Sequence, residues 1–152
     1  MKITFYGYNT FLIELGDKKI AIDPGALFLY WFRLTTLIPK SEWSSITHIL
    51  VTHGDPDHYF HVDRVAIASD ATVVCNRTMV KEINGETKVL APRNGGLVFN
   101  TKIDNLKTIR VNESIEIDGL TLTGLKATHG PMKVKIGPFS KTVTPSPDER
   151  VG

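Results

Sequence analysis

The residues best suited to chemistry are two histidines and two aspartates within residues 52–58, whose sequence is Thr-His-Gly-Asp-Pro-Asp-His. They follow the apolar run His48-Ile49-Leu50-Val51, which predicts a short buried strand. Side chains that share a metal ion must converge from a rigid element, and a strand that turns into a helix provides one. Histidine and carboxylate are ligands of catalytic zinc and related metals. His129, at the end of a later strand-like run, is the expected distant partner.

The spacing within residues 52–58 can supply two adjacent metal positions. His53 and Asp55 are two residues apart, so their side chains share a face of an extended segment. Asp57 and His58 follow where the chain turns into a helix, and they can point to a neighbouring position. Asp55 has a second interpretation, because an aspartate followed by Pro56 is also a favourable start of a helix. For Asp55, both metal ligation and helix capping remain open.

Hairpins are predicted at both ends of the chain, and strands alternate with helices between them, which indicates helices packed on a mixed sheet. The predicted strands are Lys2–Tyr6, Thr10–Leu15, Lys19–Asp23, His48–Thr52, Thr72–Cys75, Lys88–Leu90, Thr108–Val111, Ser114–Ile117 and Leu120–Thr128. The predicted helices are Ser41–Ser45, Asp57–Ser69 (with Phe60, Val65 and Ala68 or Ile67 on one side) and Thr78–Ile83, which ends at Asn84-Gly85. Residues 91–105 read as a turn-rich connector.

Length and composition favour one cytoplasmic domain spanning residues 1–152. The formal net charge of +2 gives no reason to expect a nucleic-acid partner. A single cysteine, Cys75, excludes an internal disulfide and suits a reducing compartment. The N-terminus lacks the apolar core of a signal peptide. The apolar segment Ala26–Phe32 is shorter than the ~20 residues that cross a membrane, so no membrane partner is expected. This segment is either part of the core or a surface segment that acts as a lid or an interface.

Three parts of the chain together resemble the metallo-β-lactamase superfamily. They are the opening hairpins that end in Ile22-Asp23-Pro24, the segment 49–58, and Ala127-Thr128-His129-Gly130-Pro131. The similarity is greatest to small metal-dependent hydrolases like L-ascorbate-6-phosphate lactonase. The resemblance implies an α+β fold, an αββα sandwich of two sheets between helices, with a metal pair at one edge. This chain would carry the N-terminal part of that sandwich.

The resemblance also assigns roles to residues of this chain. It implies that His53 and His129 bind the first metal, that Asp57 and His58 bind the second, and that Asp23 supports the site from behind. The turn at Tyr8-Asn9 would border the active site. Asp55 stands where the family has a second histidine. A carboxylate there makes the first site harder and more anionic, which favours manganese, iron or magnesium more than three imidazoles would. Zinc is still the expected metal, with manganese or iron as alternatives and up to two divalent ions in a complete domain.

The expected function is hydrolysis of an ester, lactone or phosphodiester in a small-molecule substrate by a metal-bound hydroxide, with Asp57 orienting the water. One alternative is a metal-binding or assembly module that turns nothing over, because no histidine follows His129 and the family's remaining ligands are not recognisable. A nuclease-like relative is a further alternative. The chain therefore reads as the first part of a domain. An apolar sheet face supplied by Ile3, Phe5, Leu12 and Ile22 would lack its cover and favour a homo-oligomer.

Overall fold

The computed structural model describes residues 1–25, 36–54, 56–59, 62–91, 97–100, 103–127, 132–136, 139–143 and 150–151. The helices are α1 (Lys40–Trp43), α2 (Pro56–Tyr59) and α3 (Val62–Ser69), and Arg77–Met79 forms a 3-10 turn. The strands are β1 (Lys2–Gly7), β2 (Thr10–Leu15), β3 (Lys18–Ile22), β4 (His48–Val51), β5 (Thr72–Asn76), β6 (Val80–Ile83), β7 (Glu86–Ala91), β8 (Leu97–Asn100), β9 (Leu106–Ile109), β10 (Ser114–Ile117), β11 (Leu120–Thr123), β12 (Lys126–Ala127), β13 (Met132–Ile136), β14 (Phe139–Val143) and β15 (Arg150–Val151).

A six-stranded mixed sheet organises the described part of the chain, with strand order β1-β2-β3-β4-β5-β9. The first three strands are antiparallel neighbours. Strands β4, β5 and β9 then run parallel to β3. The predicted opening hairpins and the predicted buried strand at His48 are therefore confirmed. Because β3 and β4 are parallel, their carboxyl ends meet at one edge of the sheet, where the chemistry-bearing segment follows β4.

Helices cover one face of this sheet. One row of paired residues, Leu12, Ala21, Ile49 and Val73, crosses four strands and is fully buried. Helix α3 packs on it because its apolar residues recur at helical spacing. The residues of α3 that are buried are Val62, Val65 and Ala66. Burial of each such aliphatic side chain contributes about 1.5–3 kcal/mol to folding, so this layer anchors the edge that carries the site.

The other face of the sheet is covered only in part. A hairpin of β10 and β11 packs over Val74 and Ile109. On β1, by contrast, Ile3 and Phe5 keep 56% and 59% of their surface exposed. Among the described residues, Ile3 and Phe5 therefore leave apolar surface exposed on this face. The expectation was wrong for Leu12, which is 1% exposed, because the register pairs it with Thr4 and turns it to the helix-covered face.

The predicted helix Thr78–Ile83 was wrong. The 3-10 turn Arg77–Met79 leads instead into β6, which pairs with β7. Asn84 and Gly85 have φ angles of 54° and 76°, as in the two-residue turn of a hairpin, rather than at the end of a helix. Asparagine and glycine are common in both settings, and the apolar run was too short to decide between them. The predicted connector 91–105 also contains a strand, β8.

Smaller differences concern the long predicted helix and the last predicted strand. The helix is described as α2 and α3, and Ile67 is 60% exposed rather than facing the core. Residues 120–128 contain two strands, β11 and β12, separated at Gly124. Segment 26–32 and Phe60 lie outside the described residues, so the lid or interface expectation stays a prediction. Among the described residues, no helix is long and apolar enough to cross a membrane.

Candidate metal centre

The candidate site lies where several element ends meet at one edge of the main sheet. Asp23 follows β3, His53 follows β4, and helix α2 carries Asp57 and His58. Asn9 lies in the turn between β1 and β2 and reaches the same place. In open sheets, ligands bind outside the carboxyl ends of parallel strands, as the arrangement here would allow. The structure thus brings His53, Asp57, His58 and Asp23 together.

Asp23 connects the elements of the site through a buried carboxylate that is 3% exposed as a residue. Its Oδ1 accepts a 2.8 Å hydrogen bond from the backbone N–H of Thr52. Its Oδ2 accepts one from the Thr52 hydroxyl at 2.7 Å and lies 2.8 Å from Nδ1 of His58. Asp23 also has a φ of 44°, a conformation that a non-glycine residue adopts at some energetic cost. The surrounding contacts therefore hold it in a strained but fully hydrogen-bonded position.

These contacts determine which imidazole nitrogens face the site. His58 donates from Nδ1 to the Asp23 carboxylate, so its Nε2 carries a lone pair. The single hydroxyl hydrogen of Thr52 goes to Asp23, so Thr52 Oγ1 must accept from Nδ1 of His53, 2.9 Å away. In both histidines the lone pair of the neutral ring is therefore on Nε2, the atom that would bind an ion. Histidines that bind metals are commonly fixed in this way by a carboxylate or hydroxyl behind them.

The two imidazoles lie side by side, with ring centroids 3.8 Å apart and an interplanar angle of 44°. Asp57 places Oδ2 3.5 Å from Nε2 of His58. The amide Nδ2 of Asn9 lies 2.9 Å from that same Nε2 and 3.2 Å from Asp57 Oδ2. Polar atoms from two separate chain segments, the β1–β2 turn and α2, thus lie within 3.5 Å of one another, and the His53 ring lies beside them.

Gly25 allows helix α2 to approach the end of β3. Its backbone N–H donates to the carbonyl of His58 at 3.1 Å. A Cβ at this position would lie 2.6 Å from the carbonyl carbons of Asp57 and His58, closer than real Cβ contacts. The segment Asp23-Pro24-Gly25, which the sequence indicates as a break in the strand pattern, therefore also sets the distance between Asp23 and helix α2.

The types of donor suit a divalent cation, since imidazole nitrogens and carboxylate oxygens are what such ions bind. Asp55 and His129 lie outside the described residues, so their predicted ligation stays a prediction. Within the residues that the structure covers, no three His, Cys, Asp or Glu side chains are grouped to hold a metal ion. The described donors therefore need at least one further ligand.

A cavity of about 160 Å³ adjoins the site on the side of the β10–β11 hairpin. Its walls are mostly apolar and include Ile22, Leu50 and Leu122. Thr52 lines the cavity and also contacts Asp23. The space next to the candidate centre is thus suited to an uncharged group.

Sequence reasoning placed Asn9 near the site only through the resemblance and gave Thr52 no role. No local signal marks Asn9, because a polar residue in a hairpin turn is ordinary. Thr52 could have been noticed from its position between a buried strand and His53, where a hydroxyl can reach the neighbouring ring. Both contacts depend on tertiary approach of Asp23 and α2, which spacing along the chain does not encode.

Comparison with known proteins agrees with the fold. Residues 2–142 match the model of the beta-lactamase superfamily domain, so the chain belongs to that family. Its α+β fold, the N-terminal part of a metallo-β-lactamase-like sandwich, is also seen in BJP-1, a subclass B3 metallo-beta-lactamase of Bradyrhizobium japonicum. That structure is 18% identical with a TM-score of 0.54, and the match covers 88% of this chain and 53% of BJP-1.

The similar curated proteins are UPF0173 metal-dependent hydrolases. One from Mesorhizobium japonicum is 30% identical over 137 residues, which cover 85% of this chain and 48% of that protein. One from Agrobacterium fabrum is 36% identical over 100 residues, which cover 64% of this chain and 42% of that protein. The chain thus spans about half the length of the curated relatives it matches.

Proposed function

We propose that this chain provides the metal-binding first part of a metal-dependent hydrolase. The observation that carries the proposal is the way in which two histidines are held. Asp23 contacts Nδ1 of His58 and Thr52 contacts Nδ1 of His53, so that both Nε2 atoms would serve as ligands. The names of the relatives support it, since they are called metal-dependent hydrolases. A bound divalent ion would lower the pKa of water and polarise the scissile bond of an ester, lactone or phosphodiester.

Each residue of the site has a defined part in this proposal. His53, with Asp55 and His129, would hold one ion, and Asp57 with His58 would hold a second. Asp57 would also orient the attacking water, because its carboxylate contacts His58, whose ring lies beside that of His53. Zinc is the proposed metal, and the carboxylate of Asp55 makes manganese and iron the alternatives. The substrate would be a small molecule; self-association and the cytoplasmic location stay predictions.

Two other functions make different demands on the same site. A metal-binding module without activity would bind the same ions and turn over no substrate. A nuclease would need a surface for phosphates, and the net charge of +2 does not provide one. Assays of the full chain with a lactone, a phosphodiester and single-stranded nucleic acid separate these functions. Turnover of the small substrates alone supports the proposal.

Metal analysis tests the ligand assignment directly. The His53→Ala, His129→Ala double variant of the full chain should lose bound metal, and unchanged metal content would refute the assignment. Asp55→Ala distinguishes a ligand from a helix cap. Loss of a ligand lowers metal occupancy, whereas loss of a cap lowers the free energy of unfolding by about 0.5–2 kcal/mol with metal retained.

A third histidine provides the control for these variants. His48 is buried at the opposite end of β4, where its Nδ1 contacts Thr47 and its Nε2 contacts Asp118. His48→Gln should therefore leave the metal content unchanged, although it removes a histidine from the same strand. Equal metal loss in the His48 and His53 variants would indicate general unfolding rather than loss of a ligand.

A further inference from the structure

We propose that Asn9 is a ligand of the second ion, through its side-chain oxygen, together with Asp57 and His58. This inference rests on the proposed function, because it assumes that an ion binds at this edge of the sheet. It adds a neutral ligand from the β1–β2 turn, 48 positions before Asp57 in the chain. The second ion would then have three protein ligands within the described part of the chain rather than two.

The spacing of three atoms carries the proposal. Asn9 Nδ2, Asp57 Oδ2 and His58 Nε2 form a triangle with sides of 2.9, 3.2 and 3.5 Å. Nitrogen and oxygen ligands that share one ion at about 2.0–2.2 Å lie roughly 2.9–3.5 Å apart at octahedral or tetrahedral angles. The triangle therefore matches one face of a coordination sphere.

Without an ion, the Asn9 amide lies within hydrogen-bonding distance of both acceptors. Its NH₂ group has two hydrogens, and it donates one to Asp57 Oδ2 and the other to the His58 Nε2 lone pair. An ion placed between these acceptors would repel the amide hydrogens. A half-turn about the Cβ–Cγ bond exchanges the nitrogen for Oδ1, which has nearly the same position and is a suitable ligand for a divalent cation.

The neighbouring backbone holds Asn9 in place for this exchange. Thr10 is fully buried, and its hydroxyl donates to the backbone carbonyl of Asp23 at 2.9 Å. On the other side, Tyr8 and Gly7 have φ angles of 50° and 108°, which bend the turn toward the site. The residue next to Asn9 is thus anchored to the backbone of Asp23, the residue that contacts His58. The amide needs only a side-chain rotation to change from donor to ligand.

The test is titration of the full chain with Zn²⁺ and Co²⁺, with calorimetry for affinity and the visible Co²⁺ spectrum for coordination. The binding event that disappears in His58→Ala identifies the second position. Asn9→Ala should weaken that event by about tenfold or more, since even residues behind a ligand contribute about 10–100-fold. Asn9→Asp, which keeps an oxygen at the same place, should retain the affinity and the Co²⁺ spectrum. Asn9→Ala should change the spectrum.

The two Asn9 variants separate ligation from hydrogen bonding. Both lose the amide hydrogens, but Asn9→Asp also adds a charge that attracts any cation, so the Co²⁺ spectrum of Asn9→Ala decides. If that spectrum were the same as in the unaltered chain, the proposal would be overturned. Asn105→Ala is the matched control, because its amide donates at 3.4 Å to Asp70, away from the site. It should bind both ions as the unaltered chain does. If the unaltered chain bound no ion, the proposed function would fail as well. If it bound the ion and the Co²⁺ spectrum were unchanged in Asn9→Ala, only this inference would be overturned.

Discussion

The carboxylate of Asp23 lies 2.8 Å from Nδ1 of His58, although the two residues are 35 positions apart in the chain. Both residues are buried, at 3% and 8% exposure. A buried carboxylate destabilises the fold unless its oxygens are hydrogen-bonded. Here Thr52 supplies two further hydrogen bonds, from its backbone N–H and its hydroxyl. The contact therefore links the end of β3 to α2 and sets the orientation of a candidate ligand before any ion arrives.

Asp23→Asn should lower metal affinity by about 10–100-fold. The amide keeps the size of the carboxylate and, like aspartate, tolerates the positive φ at this position. It no longer attracts a hydrogen to His58 Nδ1, so the neutral ring loses its preference for presenting Nε2. Competition with a chelator measures the affinity, and the ¹⁵N shifts of the His58 ring report the tautomer.

Asp118→Asn is the matched control for that substitution. Asp118 also has a positive φ, 49°, and its Oδ2 also contacts a histidine, His48, at 3.2 Å. This aspartate is exposed and lies away from the candidate site, so its replacement should leave metal affinity unchanged. A loss of affinity as large as that of Asp23→Asn would contradict the role assigned to Asp23.

Thr52→Val should weaken metal binding through His53. The isosteric change removes the hydroxyl that donates to Asp23 and accepts from His53, so His53 loses its fixed tautomer. We expect a loss of affinity of about tenfold and a fall in the free energy of unfolding of about 1–3 kcal/mol. Thr52→Ser keeps the hydroxyl and should restore both quantities. Chelator competition measures the affinity and urea unfolding measures the stability. If the Val and Ser variants had the same metal affinity and the same free energy of unfolding, this would be evidence against the role of the Thr52 hydroxyl.

Gly25→Ala should disturb the site by steric contact alone. The added Cβ would lie 2.6 Å from the backbone of Asp57 and His58, so α2 must move away from β3. Overpacking of this kind costs about 1–3 kcal/mol of unfolding free energy, and here metal affinity should fall as well. Gly16→Ala is the control: it has a φ of 60° and no atom within 4 Å. It should cost about 1–2 kcal/mol in backbone strain and leave metal affinity unchanged.

The sequence allowed prediction of those features that depend on neighbours along the chain. The order of β1 to β5 follows from local patterns, and the convergence of His53, Asp57 and His58 follows from their closeness in sequence. The hairpin at Asn84 and the inward face of Leu12 could not be predicted in this way. Asn-Gly ends helices and closes hairpins alike. Residues on both sides of Leu12 are apolar, so alternation does not show which face is covered.

The supporting contacts of the site are the part least accessible from sequence. The supporting role of Asp23 was predicted only from the resemblance to a known family. Its contact with His58 requires the end of β3 to meet α2. The distance between them depends on Gly25, whose importance is visible only once a Cβ is placed against Asp57. The contacts of Asn9 with α2 require the β1–β2 turn to reach the same edge of the main sheet. Each of these relationships is set by packing of separate elements rather than by local propensity.

Cys75 should make the protein less stable at high pH. Burial raises the pKa of its thiol from 9.0 to about 12, so the folded state holds the proton more tightly than the unfolded chain does. The contribution of Cys75 is therefore constant below pH 9 and falls as the pH rises from 9 towards 12. Urea unfolding at about pH 8 and about pH 10 measures the loss, at most about 1.4 kcal/mol per pH unit. Cys75→Ala should show a smaller difference between the two pH values, and an equal difference would contradict the prediction.

Leu12→Ala and Ile3→Ala should differ strongly in stability, although both residues lie in the opening hairpin. Leu12 is 1% exposed beneath the helices, and its truncation should cost about 2–5 kcal/mol of unfolding free energy. Ile3 is 56% exposed on the other face, and its truncation should change stability by only about 0.5 kcal/mol. Urea unfolding of the two variants compares them directly. Similar costs would mean that the register placing Leu12 opposite Thr4 is wrong, or that the face carrying Ile3 is covered in solution.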